Sequence, residues 1–98
     1  MSTVAIDQYV VDVLLPDLVG HDHQPSAFLV YLYLARHGER GAPVRASLRT
    51  IAESTGLSKR GVQSALRTLA RRRLIRARRA GPTAIPEYHV HRPWAERR

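Results

Sequence analysis

The sequence predicts a mainly α fold closed by a small β-hairpin. Three observations carry the prediction. Apolar residues recur at a helical period through most of the chain, and Gly, Pro and Ser interrupt that period where helices must start and stop. From Leu74 onward the period shortens to the alternation of strands. The 98 residues suit one domain with one small core. The chain has no Cys, which removes disulfides and thiolate zinc sites and suits a reducing cytoplasm.

Residues 4–18 place Ile6, Tyr9, Val10, Val13, Leu14 and Leu18 on one helical face. A helix is expected there, ended or kinked near Leu15 by Pro16. Residues 19–24 read as a polar loop. Pro25 suits the first turn of the next helix, Ser26 to His37, whose apolar middle makes it the central, most buried one. The run Ala27 to Ala35 has nine apolar or aromatic residues, well short of the roughly 20 a bilayer crossing needs. The first residues carry no basic leader, so no secretory signal is expected. Gly38 is a natural stop, and residues 39–46 form a loop with a short strand at Val44 to Ala46.

The chain is organised around Ser47 to Arg72. Apolar or small residues at Leu48, Ile51, Ala52, Leu57, Val62, Ala65, Leu66 and Leu69 keep a helical period with one interruption, at Thr55 and Gly56. Gly56 permits a sharp left-handed turn, while Ser47 and Ser58 are cap residues for the helices on either side. Small Ala52 and branched Val62 suit two helices crossing closely over such a turn. The second of these helices runs from Lys59 to about Arg72. Its outer side carries Arg60, Ser64, Arg67 and Arg71, with Gln63 at the edge and Lys59 at the tip.

Charge is distributed unevenly along the chain. The formal net charge is +8, yet no Lys or Arg precedes Arg36 and no acid occurs between Lys59 and Pro86. A field concentrated in this way attracts polyanions, of which nucleic acid is the commonest in a cytoplasm. Arginine can pair twice with guanine, glutamine with adenine, and serine can donate or accept. Lys59, Arg60, Gln63 and Ser64, nearest the helix N-terminus, are therefore the candidates for base edges. Arg67 and Arg71 are candidates for phosphates. The acids Asp7, Asp12 and Asp17 suggest that the first helix faces away from DNA.

After the helix, Leu74 to Arg79 alternate, with Ile75 and Ala77 expected inward and Arg76 and Arg78 outward. Glu87 to His91 put Tyr88 and Val90 on one face, and the intervening AGPTAIP suits a connection of about seven residues. With its core IAESTGLSKRGVQSALRTLARRRLI, the chain resembles the winged helix-turn-helix family of bacterial DNA-binding proteins, most clearly over residues 44–92. The resemblance implies three to four helices plus a two- or three-stranded wing sheet. It divides the chain into N-terminal helices 1–38, helix-turn-helix 44–72, wing 74–92 and tail 93–98. It also implies that the strand at Val44 to Ala46 pairs with the wing, and that Arg76, Arg78 and Arg79 contact phosphates.

Other chemistries find less support. No phosphate-binding loop, nucleophile elbow, Cys nucleophile or zinc-protease motif occurs, so no enzyme and no cofactor is expected. The pairs His21/His23 and His89/His91 lack a Cys or clustered carboxylate to complete a metal site, and none is expected. No small-molecule ligand is evident. The partner read from the residues is double-stranded DNA, bound by sequence in transcription or in a replication or regulatory system. A protein-interaction module and a nonspecific nucleic-acid binder stay open beside it. The first helix reads as core cover or as the contact for a second copy or another protein, and Trp94 as cover for the core edge or for a dimer seam.

Overall fold

The structure, a computed structural model, describes residues 2–38 and 41–96. Parts of the expected loop 39–46 and tail 93–98 therefore lie outside the described residues. Among the described residues four α-helices, α1 (Pro25–His37), α2 (Leu48–Thr55), α3 (Lys59–Arg71) and α4 (Pro93–Glu96), are joined by strands β1 (Val44–Arg45), β2 (Ile75–Arg78) and β3 (Glu87–Val90). A helical arm precedes α1, made of two widely wound segments, Val10–Leu14 and Pro16–His21.

The arm departs from the expected helix 4–18. Residues 2–7 have no regular structure, the helical chain starts at residue 8, and it passes through Pro16 to take in part of the expected loop 19–24. In an α-helix the ring of Pro16 would clash with the carbonyl four residues back. Here the turn is wider: Leu15 N–H donates to Val10 O, and Asp22 N–H to Asp17 O at 2.9 Å, each five residues back. A wider turn aligns every fourth residue. Val10, Leu14 and Leu18 are accordingly buried, whereas Ile6, Tyr9 and Val13, expected on the apolar face, are exposed.

Helix α1 is the centre of the core, with Ala27, Val30, Tyr31 and Leu34 fully buried. Pro25 opens it and the Gly38 N–H closes it on Leu34 O at 2.8 Å. Tyr31 donates its hydroxyl to His91 O at 3.0 Å, tying the helix to the end of β3. Against α1 pack α2 and α3, each started by the expected serine. Ser47 Oγ accepts from Thr50 N–H at 3.1 Å and Ser58 Oγ from Gly61 N–H at 3.0 Å. Gly56 turns the chain between them at φ +80°, the left-handed conformation that disfavours a side chain.

The end of α3 is built without a glycine. Arg73 takes φ +60°, its N–H donates to Ala70 O at 3.0 Å, and Leu74 N–H donates to Leu69 O at 2.9 Å. This is a Schellman cap, and the burial of Leu74 and Leu69 supplies its apolar contact. The chain then enters an antiparallel sheet of order β1-β3-β2. Its register pairs Val44 with Tyr88, Ile75 with Val90, and Arg78 with Glu87. Ile75 and Tyr88 are buried, but Ala77, expected inward, is exposed. β2 is an edge strand that leaves the core after its first residue.

Candidate nucleic-acid interface

The geometry of α3 follows from its inward residues. Val62, Ala65 and Leu69 are fully buried and Thr68 nearly so, which fixes the rotation of the helix. Lys59, Arg60, Gln63, Arg67 and Arg71 are consequently exposed along the other side, and Ser64 is half-buried between them. Arg71 is tethered within this row, its guanidinium donating to Thr68 Oγ1 at 3.4 Å.

The wing extends this surface. Lys59 at the tip of α3, Arg49 in the first turn of α2, Arg79 and the wing loop Pro82 to Pro86 line one groove. Arg79 Nη1 donates to Pro82 O at 3.4 Å, which holds that side chain along the loop. Arg76 and Arg78 lie opposite His89 and Glu87 on one face of the sheet. Arg45 reaches Glu87 from the other neighbouring strand, Nε to Oε2 at 3.8 Å, so Glu87 stands between two arginines.

Arg45 and Arg49 were not singled out by the sequence. Pairing of β1 with β3 brings Arg45 onto the face of Arg78, a relation that a strand of two residues gives little means of reading. Arg49 is engaged by Glu53 at 3.0 Å, an exposed pair one turn apart.

The acids of the arm do not form one outward face. Asp7 accepts from the Trp94 indole N–H at 3.0 Å, and Trp94 stacks on Tyr9 with ring centroids 4.5 Å apart. Trp94 thus joins the two ends of the chain. Asp17 and Asp22 both accept from Arg72, just beyond α3, the second through Nη1 at 2.8 Å. Hydrogen bonding from His21, at 2.9 Å, and the charge of Arg72 hold the Asp22 carboxyl below the usual carboxylate range. The hydrogen bond to Asp17, with the charges of both carboxylates, raises Arg72 above the ordinary guanidinium value.

This cluster corrects one premise of the sequence reading. Carboxylates do gather about His21: Asp17, His21 and Asp22 could together face a metal ion. Arg72 already supplies the positive charge there, bonded to both carboxylates, and the arrangement is explained as an ionic tie between arm and α3.

Three helices with a glycine turn between the second and third, a wing of three antiparallel strands and an exposed basic face on the third helix define a winged helix-turn-helix fold. The chain belongs to the helix-turn-helix domain family, whose sequence profile matches residues 24–75, just over half of its length. That membership points to DNA binding. Comparison with curated proteins and with solved structures gives no match. Among the described residues, no helix is long and apolar enough to cross a membrane.

Proposed function

We propose that the protein reads duplex DNA by sequence, without catalysis, in the cytoplasm, as a transcriptional regulator or as the DNA-reading module of a replication or regulatory system. The observation that carries this is the exposed row Lys59, Arg60, Gln63 and Arg67 on a helix whose opposite side is locked into the core. Lys59, Arg60, Gln63 and Ser64 meet base edges in the major groove. Arg67 and Arg71 hold phosphates, as do Arg76, Arg78 and Arg79 on the wing. Residues 1–98 act as one unit, a reading supported by the stacking of Trp94 on Tyr9.

The exposed Val11, Val13 and Leu29, all before Arg36 and so in the part of the chain without Lys or Arg, support pairing with a second copy. Two copies would present two recognition helices to a two-part site.

Fluorescence anisotropy with a selected duplex and its scrambled counterpart, at several salt concentrations, tests the proposal. Removing Arg60 or Gln63 should cost about 1–3 kcal/mol on the selected duplex and relax the preference at one position. Arg78→Ala should weaken binding to both duplexes alike and reduce the slope of log K against log salt by about one. Equal affinity for the two duplexes at every salt concentration would assign the face to nonspecific binding. No binding at low salt would remove DNA from the account.

A further inference from the structure

Among the described residues, the large apolar side chains left exposed lie between residues 4 and 29, with one exception: Ile85, at 50% exposure, stands in the loop between β2 and β3. That loop is braced along its length. Ala84 N–H donates to Gly81 O at 3.1 Å, Arg79 Nη1 to Pro82 O at 3.4 Å, and Ala46 N–H to Pro86 O at 3.2 Å. Pro86, the neighbour of Ile85, is itself buried, and Pro82 and Pro86 both fix their own backbone angles. Ile85 is thus an apolar side chain held in water on a stiff support, in the most basic part of the surface.

Cations flank it on either side. Ala84 and Ile85 belong to the walls of two grooves: one carries Arg49, Lys59 and Arg79, the other Arg45 and Arg78 with Glu87. The first opens at the tip of α3, and the second lies on the face of the sheet opposite the buried Tyr88. An isoleucine between two such rows gains nothing from phosphate, but the rows themselves match the two phosphate backbones that border a groove of DNA. With α3 in the major groove, about 12 Å wide, the loop beside its tip falls across the next backbone, at the minor groove, about 6 Å wide. The apolar surface on offer there lies between stacked bases, and a branched apolar side chain reaches it by parting a base step and kinking the duplex toward the major groove. Resting on the reading of duplex DNA given above, we propose that Ile85 is an apolar wedge that enters the minor groove, parts one base step and bends the DNA the protein binds. Pyrimidine–purine steps, the most easily unstacked, are the steps it favours.

The test is ring closure by DNA ligase of a cohesive-ended duplex of about 100 base pairs, built from sequences the full chain retains at low salt and shorter than the persistence length of about 150 base pairs, so that it seldom closes unless bent. Anisotropy on the same DNA measures binding. The parent should raise the yield of circles at least about tenfold over free DNA at saturating protein. Ile85→Ser should return it to the level of free DNA, and Ile85→Leu should keep the increase. Affinity of Ile85→Ser should stay within about tenfold of the parent, because unstacking offsets much of what burial of the side chain gains. Its slope of log K against log salt should be unchanged, since no phosphate contact is removed. Binding by the parent without any gain in circles, or parental ring closure by Ile85→Ser, would overturn the wedge and leave DNA reading by α3 standing. No binding at low salt would remove that reading and the wedge together.

Discussion

Gly61 stands in the first turn of the recognition helix, where alanine would ordinarily be favoured by about 0.5–1 kcal/mol. A Cβ added there would lie 3.2 Å from Ser58 Oγ, the atom that caps the Gly61 amide. Ser58 can yield only by moving the oxygen that makes the cap, and such caps contribute roughly 1 kcal/mol. Gly61→Ala is therefore expected to leave stability within about 0.5 kcal/mol of the parent in urea unfolding, the gain in helix propensity offset by the strained cap. Arg73 is the converse case. An L-residue in the left-handed region costs roughly 1–2 kcal/mol, and glycine there carries a smaller entropic cost. Arg73→Gly should raise stability by about 0.5–1 kcal/mol in the same measurement; a loss would mean that the Arg73 side chain makes a stabilising contact. The cap itself was legible, because serine three residues before an amide is local chemistry. The left-handed Arg73 was not, since nothing in its type announces φ +60°.

Among the elements, α1, α2 and α3 were readable because periodicity and caps agree within each. The arm was misread on two counts: residues 2–7, with Ile6, form no helix, and the wider turn about Pro16 changes the period, so a face drawn at the α-helical spacing included Val13 when that turn sends it outward. The tie between the arm and α3 was beyond reach, since Arg72 meets partners 50 and 55 residues away in sequence. That tie is partly buried and doubly bonded, so Arg72→Met should destabilise the protein by about 1 kcal/mol at neutral pH. Its pH dependence follows from Asp22, whose folded pKa is lowered. The contribution is complete above the unfolded carboxylate value of about 3.9 and is lost as pH falls through the lower folded value. Parent and Arg72→Met should therefore converge in stability toward strongly acid pH. A difference that persists unchanged to the bottom of the carboxylate range would show that packing, and not charge, joins arm to helix.

For the whole molecule, the division of charge seen in the sequence acquires a spatial meaning. The acids that precede Arg36 are largely consumed in internal ties, Asp7 to Trp94 and Asp17 and Asp22 to Arg72, while Lys59, Arg60 and Arg67 stand exposed. The fold class and the row of residues along α3 could be read in advance because helix rotation follows from which side is apolar. The joining of wing to helix tip, through Lys59, Arg49 and Arg79 around one groove, could not, because it depends on strand pairing across more than 40 residues. The central claim is that this surface reads sequence. Selection of bound duplexes from a random pool, run in parallel on the parent and on Arg60→Ala/Gln63→Ala, measures that claim most directly. The parent should enrich a defined motif, arranged as an inverted repeat if two copies bind together, and the double variant should lose preference at the positions those side chains contact. Recovery of a pool as random as the input, or of the same motif by both proteins, would contradict the assignment of the α3 face as the reading surface.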